Sequence, residues 1–299
     1  ADLEEAITRL PATGNPNFVT AAFAEGLLAR VQLYNGNYTA AATHAANARA
    51  AGQARFATAA EVATMFDETQ GANPEGLFIT RVQPETESQG VNSSLNAYTA
   101  NQWVAQVPTA SLISIYDTAN DARFAWYSQC DNEQTAVDDD SPGIAISGCN
   151  TTNTLFPPNG LEINKWNAES NDLFADDVPL MRFSELVLIQ AEAALNNSGP
   201  AAAITFLDEL RANRGLAAYA GATDAASVLN EILDERRREL VGEGHRFFDL
   251  KRLGRDIVKG STPNDKGLPA VPFTDIRILG DYDIDDLEDN PELVQNPGY

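Results

Sequence analysis

No run of about 18 apolar residues occurs in the 299-residue chain, so no stretch reads as a helix that crosses a bilayer. The opening residues ADLEEAITRLPATG lack the basic and apolar regions of a secretory signal, and any export signal is expected outside this chain. Histidine is nearly missing. His44 and His245 are the only two, and neither stands in a metal-binding spacing such as HExxH. A GxSxG elbow, a phosphate loop and a dinucleotide fingerprint are also missing, so no specific catalytic constellation can be read. Positive charge is scarce: 20 Lys+Arg face 43 Asp+Glu, for a net charge of -23. Such a field repels nucleic-acid phosphates and anionic lipid, so nucleic acid is not expected as a partner. It suits salty water, where screening damps self-repulsion.

Cysteine is limited to Cys130 and Cys149, both in a polar, turn-rich stretch. In an oxidising compartment they would close a loop of about 20 residues, stabilising the fold by roughly 3 kcal/mol on chain-entropy grounds. The alternative is two unrelated thiols.

What the chain does contain is helical grammar. Phe23, Leu27, Val31 and Tyr34 recur at helical spacing between Phe18 and Asn35, and Asn35-Gly36-Asn37 ends the pattern. Tyr38 to Ala51 reads as a second helix, rich in small residues that allow close approach, and Gly52 ends it. The pattern returns from Leu180, with Phe183, Val187, Gln190 and Ala194 on one face. Pro200 suits the first turn of the next helix, Ile204, Leu207 and Leu210 continue its stripe, and Gly215 closes it. These two helix pairs are tetratricopeptide-like copies about 160 residues apart, too far for a continuous solenoid. A further helix is predicted from about Asp224 to Val241, with Val228, Ile232, Arg236 and Leu240 at i, i+4 spacing.

Between the pairs, residues 83–177 turn to Asn, Ser, Thr, Asp, Gly and Pro with interspersed aromatics, including all three tryptophans. So long an irregular insertion points to function. Tyr98, Trp103, Tyr116, Trp126 and Tyr127 lie among Asn92, Asn96, Asn101, Gln102, Asn120 and Arg123. Flat rings suit the C–H face of a pyranose, and amides and guanidinium suit its hydroxyls. The candidate site is therefore Trp103 and Trp126 as stacking platforms with Tyr127 as a second face. Asn101, Gln102 and Arg123 serve as hydroxyl partners, and Tyr98 and Asn96 lie beside them. Trp166 reads as structural.

Two acidic clusters, Asp138-Asp139-Asp140 and Asp281 to Glu292, have the composition for calcium, but Asp286 stands where an EF-hand needs glycine. Solvated acidic loops are the simpler reading, and no cofactor is expected. In the run Glu235 to Glu239, opposite charges at helical spacing pair first with one another: Glu235 with Arg238, or Glu239 with Arg236. His245, Arg246 and Asp249 are expected to hold the fold, interleaved with Phe247, Phe248 and Leu250 as core residues.

Four segments carry a resemblance to the C-terminal portion of the SusD/RagB family of surface glycan-binding lipoproteins of Bacteroidetes. They are LLARVQLYNGNYTAAATHA (27–45), PLMRFSELVLIQAEAALNN (179–197), ILDERRRELVGEGHRFFDLKRLG (232–254) and the terminal NPELVQNPGY (290–299). The third and fourth, in this order after an AEA helix, are the most specific. The resemblance implies a mainly α fold of tetratricopeptide-like hairpins with a long irregular loop and short-strand insertion. Residues 1–299 would form a single region, divided into hairpin 17–52, ligand-binding insertion 83–177, hairpin 180–215, helix and signature motif 224–254, and irregular tail 260–299.

It further implies a non-catalytic outer-membrane protein, exposed at the cell surface. Such a protein binds oligosaccharide or polysaccharide and closes over a SusC-like TonB-dependent transporter. Its membrane link would be an N-terminal lipid anchor absent from this chain, whose start resembles the entry to the third hairpin of relatives. Near the end, ILGDYDIDDLEDN (278–290) departs from the Pro-Ile-Pro segment that relatives often carry. The alternative from another class is a tetratricopeptide-like protein-interaction scaffold without glycan binding.

Overall fold

The computed structural model describes residues 1–67, 71–82, 95, 99, 108–129, 161–166, 176–258 and 270–298. Helix α1 (Asp2–Arg9) leads into the first hairpin, α2 (Ala21–Tyr34) and α3 (Tyr38–Ala50). The α2 helix starts later than its apolar pattern because Thr20 caps it, accepting from the Phe23 amide. Gly36, at φ 75°, makes the turn. Ala41, Ala45 and Ala48 are buried against Ala29, Leu33, Leu186 and Ile189, as the run of small residues predicts. A Cβ at Gly26 would overlap the Met181 sulfur, so α2 is pressed onto the following layer.

That layer is the second hairpin, assembled after α4 (Ala59–Val62), β1 (Gly76–Thr80), α5 (Ala110–Ile113), β2 (Tyr127–Gln129), β3 (Leu161–Ile163) and β4 (Val178–Arg182). Its helices are α6 (Phe183–Ser198) and α7 (Pro200–Ala212), with Pro200 in the first turn. The fully buried face of α6 packs on α3, α7 and α8 (Ala225–Glu239), the last capped by Asp224. The chain continues as α9 (His245–Arg252), β5 (Ile257–Val258), β6 (Ala270–Val271) and α10 (Ile284–Asp289). The observed fold is the expected mainly α arrangement of hairpins with short strands.

Strands β1 and β4 pair antiparallel, Ile79 opposite Pro179 and Thr80 opposite Val178, and so clamp the base of the insertion. The described part of the insertion is more than loops. Strands β2 and β3 pair antiparallel, and Leu112, Tyr116, Trp126, Tyr127, Ile163 and Trp166 share a core with Val62 and Phe66.

The layers are joined by buried charge. Glu239, fully buried, accepts from Arg182 Nη1 at 2.9 Å, Arg214 Nη2 and Nε at 2.9 Å, and Arg123 Nη1 at 3.1 Å. Glu75 binds Arg182 at 2.8 Å and Arg214 at 2.6 Å and takes the Ala57 amide. Glu243 binds Lys165 at 2.6 Å and Arg182 at 2.7 Å. The expected Glu235–Arg238 pair forms at 2.5 Å. The Glu239–Arg236 pair does not: Arg236 binds Asp249 at 2.7 Å instead. A local pair on a wet helix stabilises by only a few tenths of a kcal/mol. A buried carboxylate needs all its lone pairs met, and the three distant guanidiniums do that.

A neighbouring carboxylate, Glu185, is bound by Arg30 at 2.6 Å. Burial pushes its pKa up, but Arg30 and His245 outweigh that and hold it at about 2. A folded pKa below the unfolded value of about 4.3 supplies stability above that pH and loses it as pH falls towards 2. Unfolding free energy should therefore fall between about pH 5 and 2, and the fall should be shallower in Glu185→Gln. Urea titrations across that window check it; equal slopes in the two proteins would contradict the assignment.

Candidate functional site

Three of the sequence-predicted ligand residues prove to be buried. Trp126 is 1% exposed, donates Nε1 to the Val62 carbonyl at 2.8 Å, and meets Phe66 edge to face at 5.5 Å. The Lys165 ammonium lies 4.4 Å from the centre of its ring. Tyr127 shares its hydroxyl with Tyr116 at 3.1 Å, and burial pushes its pKa up to about 12. Arg123 is fully enclosed between Asp121, Glu235 and Glu239. None of these three has a free face for a sugar. The mixture of aromatics and polar groups that suggested a platform serves here as core, because the 3-10 turn Ala122–Trp126 runs straight into β2 beneath α8.

Asn96, Tyr98, Asn101, Gln102 and Trp103 lie outside the described residues, as do Cys130, Cys149 and the Asp138–Asp140 cluster. Trp166 is buried against Phe66 at 4.9 Å, in keeping with a structural role. In the acidic tail, residues 284–289 form α10, with the Asp283 carboxylate capping it at the Asp285 amide, so the segment does not wrap as a chelating loop. Among the described residues no group of three or more His, Cys, Asp or Glu gathers as a metal site.

Among the described residues, open concave surface occurs elsewhere. Two grooves flank the turn between α8 and α9, where Gly242 and Gly244 adopt φ of 76° and 81°. The larger, about 590 Å³, is walled by Arg30, Tyr34, Leu180, Trp166, Glu243 and Phe248. The smaller, about 350 Å³, lies between Thr109 and Leu112 of the insertion and Arg237, Val241, Arg246 and Phe247. His245 borders both. Burial lowers its pKa against the pull of Glu185, which favours the neutral imidazole.

Phe247 and Phe248, expected in the core, are 39% and 52% exposed. The inward face of α9 is taken by His245, Asp249 and Leu250, and the i, i+4 pair His245 and Asp249 fixes its orientation. The two phenyl rings meet at 5.4 Å, and Phe248 also stacks with Tyr34 at 6.4 Å. Exposed aromatic faces beside guanidinium groups suit a sugar ring and its oxygen substituents.

Residues 63–269 match the SusD family. The chain belongs to that family. A SusD-like protein of Formosa agariphila is 31% identical over 150 residues, which is 46% of this chain and 28% of that protein. A solved SusD superfamily protein of Bacteroides thetaiotaomicron is 22% identical with a TM-score of 0.79, covering 99% of this chain and 64% of its own. A solved laminarin-binding SusD-like protein is 23% identical with a TM-score of 0.69, covering 100% of this chain and 67% of its own. The two structures share the SusD-like fold, and the chain spans less than two thirds of the first two relatives.

Core and surface aromatics should separate in unfolding experiments. Trp126→Ala should lower stability by about 3–5 kcal/mol. Phe247→Ala should change it by less than about 1 kcal/mol. Urea unfolding checks both, and similar losses would contradict this assignment of core and surface.

Proposed function

We propose that this chain acts as a cell-surface glycan-binding protein. It captures oligosaccharide or polysaccharide for import by a SusC-like TonB-dependent transporter of the outer membrane. The observation that carries the reading is SusD family membership over residues 63–269, a span that includes the whole insertion and every residue that lines the smaller groove. The laminarin-binding neighbour of the same fold supports it. Capture requires neither a covalent step nor a cofactor. In the cell a lipid anchor holds the protein at the outer membrane, where the glycan is trapped against the transporter.

Two groups of residues do the binding in this reading. Phe247 and Phe248 supply exposed apolar faces beside the α8–α9 turn, next to the half-buried Tyr34. Trp103 and Tyr98 of the insertion add stacking platforms, and Asn96, Asn101 and Gln102 contact hydroxyls. Trp103 lies just upstream of Pro108, which borders the smaller groove.

The test is affinity electrophoresis and calorimetry with a panel of neutral and acidic polysaccharides. Binding should saturate with dissociation constants of roughly µM to mM, because an open platform desolvates few contacts fully. Trp103→Ala should weaken it about tenfold. An unchanged affinity would remove Trp103 from the site. Reducing ends released during incubation would show an enzyme instead. No retention by any glycan, together with partner loss on altering the α2–α3 faces, would favour a protein-interaction scaffold.

A further inference from the structure

The smaller groove has the opposite charge to the protein that contains it. The chain carries a net charge of -23, yet among the described residues this groove is lined by Arg236, Arg237 and Arg246 against a single carboxylate, Asp249. That carboxylate is already engaged: Oδ2 accepts from Arg236 Nε at 2.7 Å, and Oδ1 from Arg252 at 2.9 and 3.1 Å. Arg236 is 2% exposed, and its Nη1 and Nη2 have no hydrogen-bond partner among the described residues. Buried donors of this kind call for an acceptor.

Neither of the other two arginines has an anionic hydrogen-bond partner among the described residues. Arg237 donates to the Ser111 carbonyl at 3.2 Å, the Ser111 hydroxyl at 2.8 Å and the Thr109 hydroxyl at 3.1 Å, all neutral. Arg246, on the exposed side of α9, makes no hydrogen bond or ion pair among the described residues. Partial burial lowers its pKa and Arg237 lowers it further, while Asp234 and Asp249 oppose this only by field. Phe247, on the same short helix, adds an exposed ring to the groove.

We propose that this groove receives the anionic substituent of an acidic oligosaccharide, a carboxylate or a sulfate ester, with the sugar ring against Phe247. The inference rests on the glycan-binding reading and adds the class of glycan. Arg237 and Arg246 offer planar donor pairs that match either group, and Arg236 contributes positive charge from beneath. At about 350 Å³ the groove has room for one or two sugar rings rather than a long chain. A nucleic acid, with one charge per roughly 1.7 Å of duplex axis, meets the repulsion of the whole acidic surface. An acidic glycan spaces its charges by at least a sugar ring, so an arginine-lined groove can prevail locally under screening.

Calorimetry on the intact protein with three probes tests this: oligogalacturonate for the carboxylate, a carrageenan oligosaccharide for the sulfate ester, and laminarihexaose as the neutral control. At low salt at least one anionic probe should bind more tightly than laminarihexaose, and the tighter of the two identifies the substituent. Arg246→Ala should reduce that preference about tenfold, Arg246→Glu should reverse it, and Arg246→Lys should restore part of it. In the unaltered protein, added salt should weaken anionic binding more than neutral binding. Binding of laminarihexaose with neither anionic probe retained would overturn this inference and leave the glycan-binding reading standing. Anionic affinities unmoved by Arg246→Ala and Arg246→Glu would also overturn it. Failure of all three probes would overturn this inference, while the glycan-binding reading falls only if the wider polysaccharide panel is also not retained.

Discussion

A single buried carboxylate, Glu239, receives hydrogen bonds from three guanidiniums that arrive from three parts of the chain. Arg123 comes from the insertion, Arg182 from β4 at its base, and Arg214 from just after the second hairpin. Glu75 repeats the arrangement from before β1, and Glu243 extends it to Lys165. The interaction gives little net stability by itself, since desolvating so many charges offsets much of the Coulomb gain. Its consequence is positional. The arrangement of hairpin, insertion and signature helix brings these charges to their partners, and removing one leaves the others buried and unpaired.

The same constraint shapes the surface. With the C-terminal end of α8 held by Glu235, Arg238 and Glu239, the chain must reverse sharply to start α9, and it does so through two glycines in the left-handed region. A Cβ on Gly242 would sit 3.0 Å from Trp166 Nε1, so the turn is also pressed against the insertion's core. Asp249 then locks the inward face of α9 through Arg236 and Arg252. What remains outside is Phe247, Phe248 and Arg246, presented at the rims of the two grooves. The placement of these exposed side chains thus follows from how the brace is anchored, on a helix of eight residues.

The hairpins were legible in the sequence because their signals are local: helical spacing, Gly36 in the turn and Pro200 at a first turn, whereas the Thr20 cap that sets the start of α2 emerged only from the structure. The motif's charges were legible only in part. Glu235 and Arg238 are neighbours on one helix, whereas the partners of Glu239 lie 25 to 116 residues away and leave no periodic trace. Trp126, Tyr127 and Arg123 were misplaced because composition does not distinguish an aromatic-polar surface from an aromatic core seamed with ion pairs. Phe247 and Phe248 were misplaced for the converse reason. Apolar type suggested burial, although anchoring His245 and Asp249 inward on one helical face would have turned them outward. The arginine groove depends on residues from the insertion and α9 meeting in space, which spacing alone does not reveal.

The central claim is that Glu239 and its arginines act as one cooperative brace. A double-mutant cycle on Arg182→Met and Glu239→Gln, read as unfolding free energy in urea, tests it most directly. The account predicts that the two changes are strongly non-additive, with a coupling of about 2 kcal/mol or more. Additivity within roughly 0.5 kcal/mol would contradict it.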